Sequence, residues 1–429
     1  MTAEVAIMNQ QALVFAADSA TTVTMWVEGQ RQTRYFKGAN KLFQLSSAHP
    51  VGLMIYSSAS LHHVPWEVII KDFRKSLGSD SSEHLSGYAT RFFDFVKGHA
   101  KLFPDELRKS LFIDEALRAA ASNHREASES PAVRDADGDA KTTAFRAALE
   151  ATRAKLRDAT PQAPITPTEV DAAIAAHVEA LTSRIREAKE LFALPDAALA
   201  DLLAEVAVVD LMANYKYYLS ETGVVVGGYG DDDYFPMCES YSCYGFLDRQ
   251  FICNPEGEPT QIGKDLPASI EAFATTSMID NFRLGIAPDV FTGVQLATRR
   301  ELREFAAKLQ AILAPGQPTP ANLETMIDEA VGNHRREWFQ LAMSEHYGPL
   351  ARVIASLPVQ DMAALARSLV ELQSLKERVT KPTESVSGPI DVAVITKHDG
   401  FVWIDRKHYF KPELNPRFFN RQSANTVGK

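Results

Sequence analysis

The sequence predicts an α+β chain in which two stacked sheets are covered by helices. Three observations carry this. Strand patterning occupies both ends of the 429 residues and returns in the middle, helical periodicity fills the two intervals between, and Gly, Pro and Asp clusters punctuate the changes. The order is therefore strands, helices, strands, helices, strands.

The first sixty residues read as strands. In EVAIMNQQALVFAADS, Val5 to Met8 and Ala12 to Ala17 flank Asn9-Gln10-Gln11, the pattern of a tight hairpin. A second pair, VTMWVEG and QTRYFKGANKLFQL, surrounds Gly29, and VGLMIYSSAS is a buried strand ending in a small-residue turn. From Trp66 the period turns helical, with apolar residues three and four apart in WEVIIKDFRKSL and YATRFFDFVKGHAKLF. Asn123 to Lys141 carries few large apolar side chains and reads as an exposed loop. Within it, DADGD lacks the spacing and the closing acid of a calcium loop.

At TPTEV, Thr166 is placed as an N-cap, Pro167 as the first helical residue and Glu169 as the partner in a capping box. Val170, Ile174, Val178, Leu181 and Ile185 then form one apolar stripe, and helix continues through LADLLAEVAVVDLMANYKYYL. Strands return at TGVVVGGYGDD, YSCYGFLDRQFICN and IEAFATTS. Gly227, Gly228 and Gly230 open no helix, so a phosphate-binding loop is not expected. A second helical block runs from Met278 to Arg378, broken at 314 to 321, and IDVAVIT and FVWID close the strand set. The basic, aromatic tail RKHYFKPELNPRFFNRQ reads as a strap along a protein surface.

Composition narrows the function. Lys+Arg 45 against Asp+Glu 55 gives a net charge of −10, which argues against a face built to neutralise nucleic-acid phosphates. Cys238, Cys243 and Cys253 contain no CxxC pair, and three thiolates fall short of a tetrahedral zinc site, so they read as structural thiols in a reducing compartment. No metal and no cofactor is expected. His62-His63 make a poor metal pair and read as surface residues. No apolar run reaches about 18 residues and the first twenty lack an export signal, so the expectation is a cytoplasmic protein that neither spans nor binds a membrane.

Thr2 is where chemistry concentrates. Removal of Met1 ahead of a small residue would leave a threonine whose α-amine stands beside its own hydroxyl. Such an amine titrates near about 8, so part of it is neutral at physiological pH and able to take the hydroxyl proton. A fixed positive charge held by a carboxylate would favour both the free amine and the developing alkoxide, and Lys41 and Asp18, at strand ends, are placed to supply these.

TAEVAI, AADSATT, ANKLFQL, GLMIYSSAS, GVVVGGY and GPIDVAVITKHDG, in that order, resemble the catalytic β-type subunits of the proteasome and their bacterial relatives among the N-terminal nucleophile hydrolases. The resemblance covers the strands only: about the first seventy residues, about 220 to 280 and the final fifty. It implies a four-layer αββα sandwich, a single domain over 1–429 with helical insertions at about 80–215 and 278–380, and a tail at 405–429. It further implies Thr2 as nucleophile and general base, Asp18 as carboxylate partner and Lys41 as electrostatic activator. Glu384 and Ser387 of ESVSG would orient the amine, with Glu where the family has Asp. Ser57 stands where the family's glycine lends a backbone N–H to the oxyanion, and Ser19 is a further candidate. Thr275, Thr276 or Ser277 of ATTS would take the place of the family's serine.

The function so implied is a threonine-type peptidase or amidase acting on peptide or unfolded protein, assembled with copies of itself into a ring or stack. The sequence does not disclose whether an ATPase partner feeds it. Two alternatives stand beside it, an inactive scaffold on the same fold and a non-peptide amidase.

Overall fold

A computed structural model describes residues 2–27, 30–159, 161–313, 316, 320–381 and 386–420. The alternating and β-branched runs at the start of the chain form β1 (Ala3–Asn9), β2 (Leu13–Ala17), β3 (Thr21–Val27), β4 (Gln30–Phe36), β5 (Leu42–Gln44) and β6 (Val51–Tyr56), followed by the short β7 (Ser60–Leu61) and β8 (Val64–Pro65). Helices follow: α1 (Trp66–Leu77), α2 (Leu85–Gly98), α3 (Asp105–Glu129), α4 (Pro131–Arg134), α5 (Gly138–Asp158), α6 (Pro167–Glu187), α7 (Ala200–Ala213) and α8 (Tyr215–Tyr218). The middle strands are β9 (Thr222–Gly228), β10 (Met237–Leu247), β11 (Gln250–Pro255), β12 (Thr260–Gln261) and β13 (Ala268–Ala274). The second helical block comprises α9 (Ser277–Leu284), α10 (Pro288–Leu313), α11 (Leu323–Ala342), α12 (Gly348–Ile354) and α13 (Val359–Thr380), before β14 (Asp391–Thr396) and β15 (Gly400–Asp405).

These strands make two large antiparallel sheets and two small antiparallel ribbons, β3–β4 and β7–β8, so the molecule mixes α and β structure. The first has the order β13-β1-β2-β14-β15 and brings distant parts of the chain together, Val14 pairing with both Ile7 and Val394. The second runs β11-β10-β9-β6-β5, with β12 beside β10. The β1–β2 turn is closed by Asn9, whose Oδ1 accepts the Gln11 N–H at 2.8 Å, while its Nδ2 donates to the carbonyls of Ile354 and Leu357.

The two-residue period of each strand divides its side chains between two cores. Ala6, Met8, Leu13, Phe15 and Ile395 of the first sheet meet Leu42, Met54 and Val225 of the second. Glycine permits that close approach, since a Cβ at Gly227 would stand 2.6 Å from the Phe15 ring. On the far side of the first sheet, Val5, Ile7, Val14 and Ala16 pack under Met362, Ala366 and Val370 of α13. On the far side of the second, Leu53, Ile55, Val224 and Val226 pack under Trp66, Ile70 and Phe73 of α1 and Phe92 of α2. Each large side chain so buried contributes about 1.5–3 kcal/mol.

α3, α5, α6 and α7 share a core of their own, which reaches the second sheet through Tyr244, Leu247 and Ile252. The capping box forms as the sequence expects: Thr166 Oγ1 accepts the Glu169 N–H, and Glu169 Oε2 accepts the Thr166 N–H at 2.7 Å.

Four expectations need correction. Asn123 to Lys141 is mostly helical, because Asn123, Ala127 and Val133 are buried against the neighbouring helices and Asn123 Nδ2 donates to Asp210. Tertiary burial there outweighs a polar local composition. QTRYFKGANKLFQL is two strands, not one: β4 pairs with β3 as a ribbon, and β5 joins the second sheet. Cys243 and Cys253 are not free thiols, since they face each other on β10 and β11 and form a disulfide, leaving Cys238 as a buried thiol. His62 is not a simple surface residue, because its Nε2 accepts the Phe246 N–H at 2.5 Å and burial, chiefly, brings its pKa down to about 4. Gly29, part of the 314–321 break and the last nine residues lie outside the described residues. The tail that precedes them is tied down at one end, where the Lys407 N–H donates to Asp391 at 2.9 Å, while Tyr409 stands fully out in solvent.

Candidate active site

Strand register assembles the site. Antiparallel pairing sets Glu4 opposite Ala17, so the residue after β2, Asp18, comes beside the start of β1. The Asp18 carboxylate accepts four hydrogen bonds. Oδ1 takes the Ala3 N–H at 3.0 Å and the Lys41 ammonium at 2.5 Å, and Oδ2 takes the N–H groups of Ala20 and Ser387, each at 3.0 Å. A carboxylate buried to 1 % exposure is tolerable only with its lone pairs filled in this way.

Lys41 arrives from the second sheet. The break between β4 and β5 frees it from the ribbon, and its carbonyl anchors it by accepting the Ile55 N–H of β6 at 3.0 Å. Its ammonium is thus inserted between the sheets, and 3.4 Å beyond it lies Oε1 of Glu4. Among the described residues the contact that Oε1 makes is this ion pair with the lysine. The other oxygen, Oε2, accepts the Thr2 hydroxyl at 3.1 Å.

Glu4 is fully buried, and burial is the main influence on its carboxyl group, raising the pKa from 4.5 to about 7. The Lys41 charge and the Thr2 hydrogen bond oppose that rise, while the Asp18 charge adds to it. The result is an ordered sequence of buried contacts, Thr2 hydroxyl to Glu4 to Lys41 to Asp18.

These contacts open on a small cleft lined by Thr2, Lys41, Tyr56, Ser57 and Ala59, among others. Ser57 has φ 67°, a backbone region that glycine enters freely and serine at some cost. Ser58 also lines an adjoining cavity with Leu61, His62, Phe112 and Tyr244.

Of the residues expected at the site, Thr2, Asp18 and Lys41 come together and Ser57 lines the same cleft. Ser387 is present through its backbone, its N–H on Asp18 and its carbonyl accepting from Ser19 N at 3.3 Å. Ser19 is buried, with its hydroxyl donated to the Pro389 carbonyl, so it braces the β2–β14 junction and is turned away from the cleft lining. Thr275 donates its N–H to the Thr2 carbonyl at 2.9 Å, Thr276 accepts the Asp280 N–H at the start of α9, and the Ser277 hydroxyl receives the Lys376 ammonium at 3.0 Å. None of these three is among the residues that line the cleft. Glu384 lies outside the described residues.

The residue that sequence reasoning passed over is Glu4. Its signal was present, an acidic residue inside TAEVAI, a strand otherwise too apolar to face water. Among the described residues no group of three or more His, Cys, Asp or Glu could hold a metal ion, and no helix is long and apolar enough to cross a membrane.

No protein-family model matches the chain, and no curated protein matches it. Among solved structures, the Anbu (Gly-1) mutant from Hyphomicrobium sp. strain MC1 aligns over 100% of this chain and 99% of its own, at 10% sequence identity and a TM-score of 0.29.

Proposed function

We propose that the chain is a threonine-type peptidase or amidase in which Thr2, made N-terminal by loss of Met1, attacks an amide carbonyl through its hydroxyl. The observation that carries this reading is that Thr2 and Lys41 line one cleft, with the Lys41 ammonium held by the Asp18 carboxylate. A buried cation at that point would stabilise the alkoxide and the unprotonated amine. Backbone N–H groups around Ser57 would receive the oxyanion, Glu384 and Ser387 would orient the amine, and water would then hydrolyse the acyl-enzyme.

The stacking of helices, two sheets and helices is read as a four-layer αββα sandwich, with 1–429 as one domain carrying its helices as insertions. Peptide or unfolded protein as substrate, self-association into a ring or stack and a cytoplasmic location complete the proposal.

The test is intact mass before and after treatment with a β-lactone or epoxyketone, with Thr2→Ala as control. The expected result is loss of Met1, one adduct on Thr2 and none in the variant. Absence of both adduct and turnover would hand the case to the second reading, an inactive scaffold. That reading draws on Ser57 in a glycine-favouring conformation and on Glu4 offsetting the lysine charge.

A further inference from the structure

We infer that Glu4 is a catalytic residue, the proton acceptor for the Thr2 hydroxyl, so that activation of the nucleophile does not depend on the terminal amine. The inference rests on the reading of Thr2 as nucleophile and reassigns the base.

Contact is the first argument. Glu4 Oε2 already accepts the Thr2 Oγ proton at 3.1 Å, within the reach a general base needs. The second is the difference between the two buried carboxylates. Asp18 is saturated by three backbone amides and a lysine, which commits it to structure. Glu4 has one oxygen on the reacting hydroxyl and the other on the Lys41 ammonium at 3.4 Å, one contact for each where Asp18 has two, so it retains capacity to hold a proton. The third is cost. Neighbouring Ala3 and Val5 are apolar and fully buried, and an apolar side chain at position 4 would spare the penalty of burying a carboxyl. Lys41, 3.4 Å away, is the cation that keeps the carboxyl from being permanently protonated there.

The step balances without a further reactant. As Oγ bonds to the substrate carbonyl carbon, the O–H bond breaks and its proton passes to Glu4 Oε2, while the carbonyl π pair moves to oxygen. Collapse of that intermediate breaks the C–N bond, and the Glu4 proton leaves with the amine. In hydrolysis of the ester, Glu4 takes a proton from water and returns it to Oγ.

The experiment measures the rate of Thr2 acylation by a β-lactone, read by intact mass from about pH 5 to 9. It compares wild type, Glu4→Gln, Thr2→Ala and wild-type chain isolated with Met1 retained. Expected are a wild-type rate that rises through a pKa of about 7, a fall of about 100-fold or more in Glu4→Gln with loss of that rise, and persistent acylation with the same rise when Met1 is kept. Acylation of Glu4→Gln at the wild-type rate overturns the inference, as does its disappearance when Met1 is retained. Should Glu4→Gln fail to fold, the Met1-retaining chain decides alone. Acylation equally strong in Thr2→Ala, or absent from every form, sinks the nucleophile reading itself, whereas a labelled Thr2 indifferent to Glu4→Gln sinks only the role of Glu4.

Discussion

Replacing Asp18 by Asn keeps the volume and removes one acceptor, which makes it the sharpest test of how the site is held. In the native site each carboxylate oxygen serves two donors, Oδ1 the Ala3 N–H and the Lys41 ammonium, Oδ2 the Ala20 and Ser387 N–H groups. An amide offers one oxygen and one NH2, so in either rotamer two donors face a donor. A buried donor left without an acceptor costs about 1–3 kcal/mol. Two of them set the expected loss at about 2–6 kcal/mol, a large part of the roughly 5–15 kcal/mol that keeps a protein folded. Urea denaturation of Asp18→Asn against wild type, followed by tryptophan fluorescence, measures it. A loss below about 1 kcal/mol would refute the reasoning, because it would mean that the carboxylate is hydrated and that the β2–β14 junction does not depend on it.

The same contacts fix a pH dependence at Glu4. Its folded pKa of about 7 lies above the ordinary 4.5, so the native state holds the proton more tightly than the unfolded chain. The resulting stability is fully present below about pH 4.5 and is lost as pH rises through about 7. At about 1.4 kcal/mol per unit the loss is on the order of 3 kcal/mol. Glu4→Gln should be free of it, and urea midpoints of the two proteins that move in parallel between pH 5 and 8 would contradict the assignment. At the sheet interface, Gly227→Val would drive a Cβ to within 2.6 Å of the Phe15 ring, for an expected cost of at least about 1–3 kcal/mol. Gly263→Val, where a Cβ meets nothing within 4 Å, is the control, and equal melting temperatures for the two would discount the close packing.

Local signals in the sequence determined much of the scaffold. The hairpin at Asn9, the strands VGLMIY, GVVVGG and DVAVIT, and the capping box at Thr166 are written in neighbouring residues, because turn chemistry, two-residue alternation and helix caps act over a few positions. Thr2, Asp18 and Lys41 were legible as candidates for a related reason: they flank strands whose ends converge.

Only the tertiary structure decided the rest. Asn123 to Glu129 became helix because burial between helices repaid what its polar composition withheld. The KGANK stretch broke one apparent strand into two so that Lys41 could enter from the opposite sheet. Cys243 found Cys253 through the register of β10 against β11. Glu4 acquired its character from Lys41 and Asp18, residues 37 and 14 positions away in the chain. Desolvation and the field of nearby charges depend on what packs around a group, and no local pattern of residues carries that information.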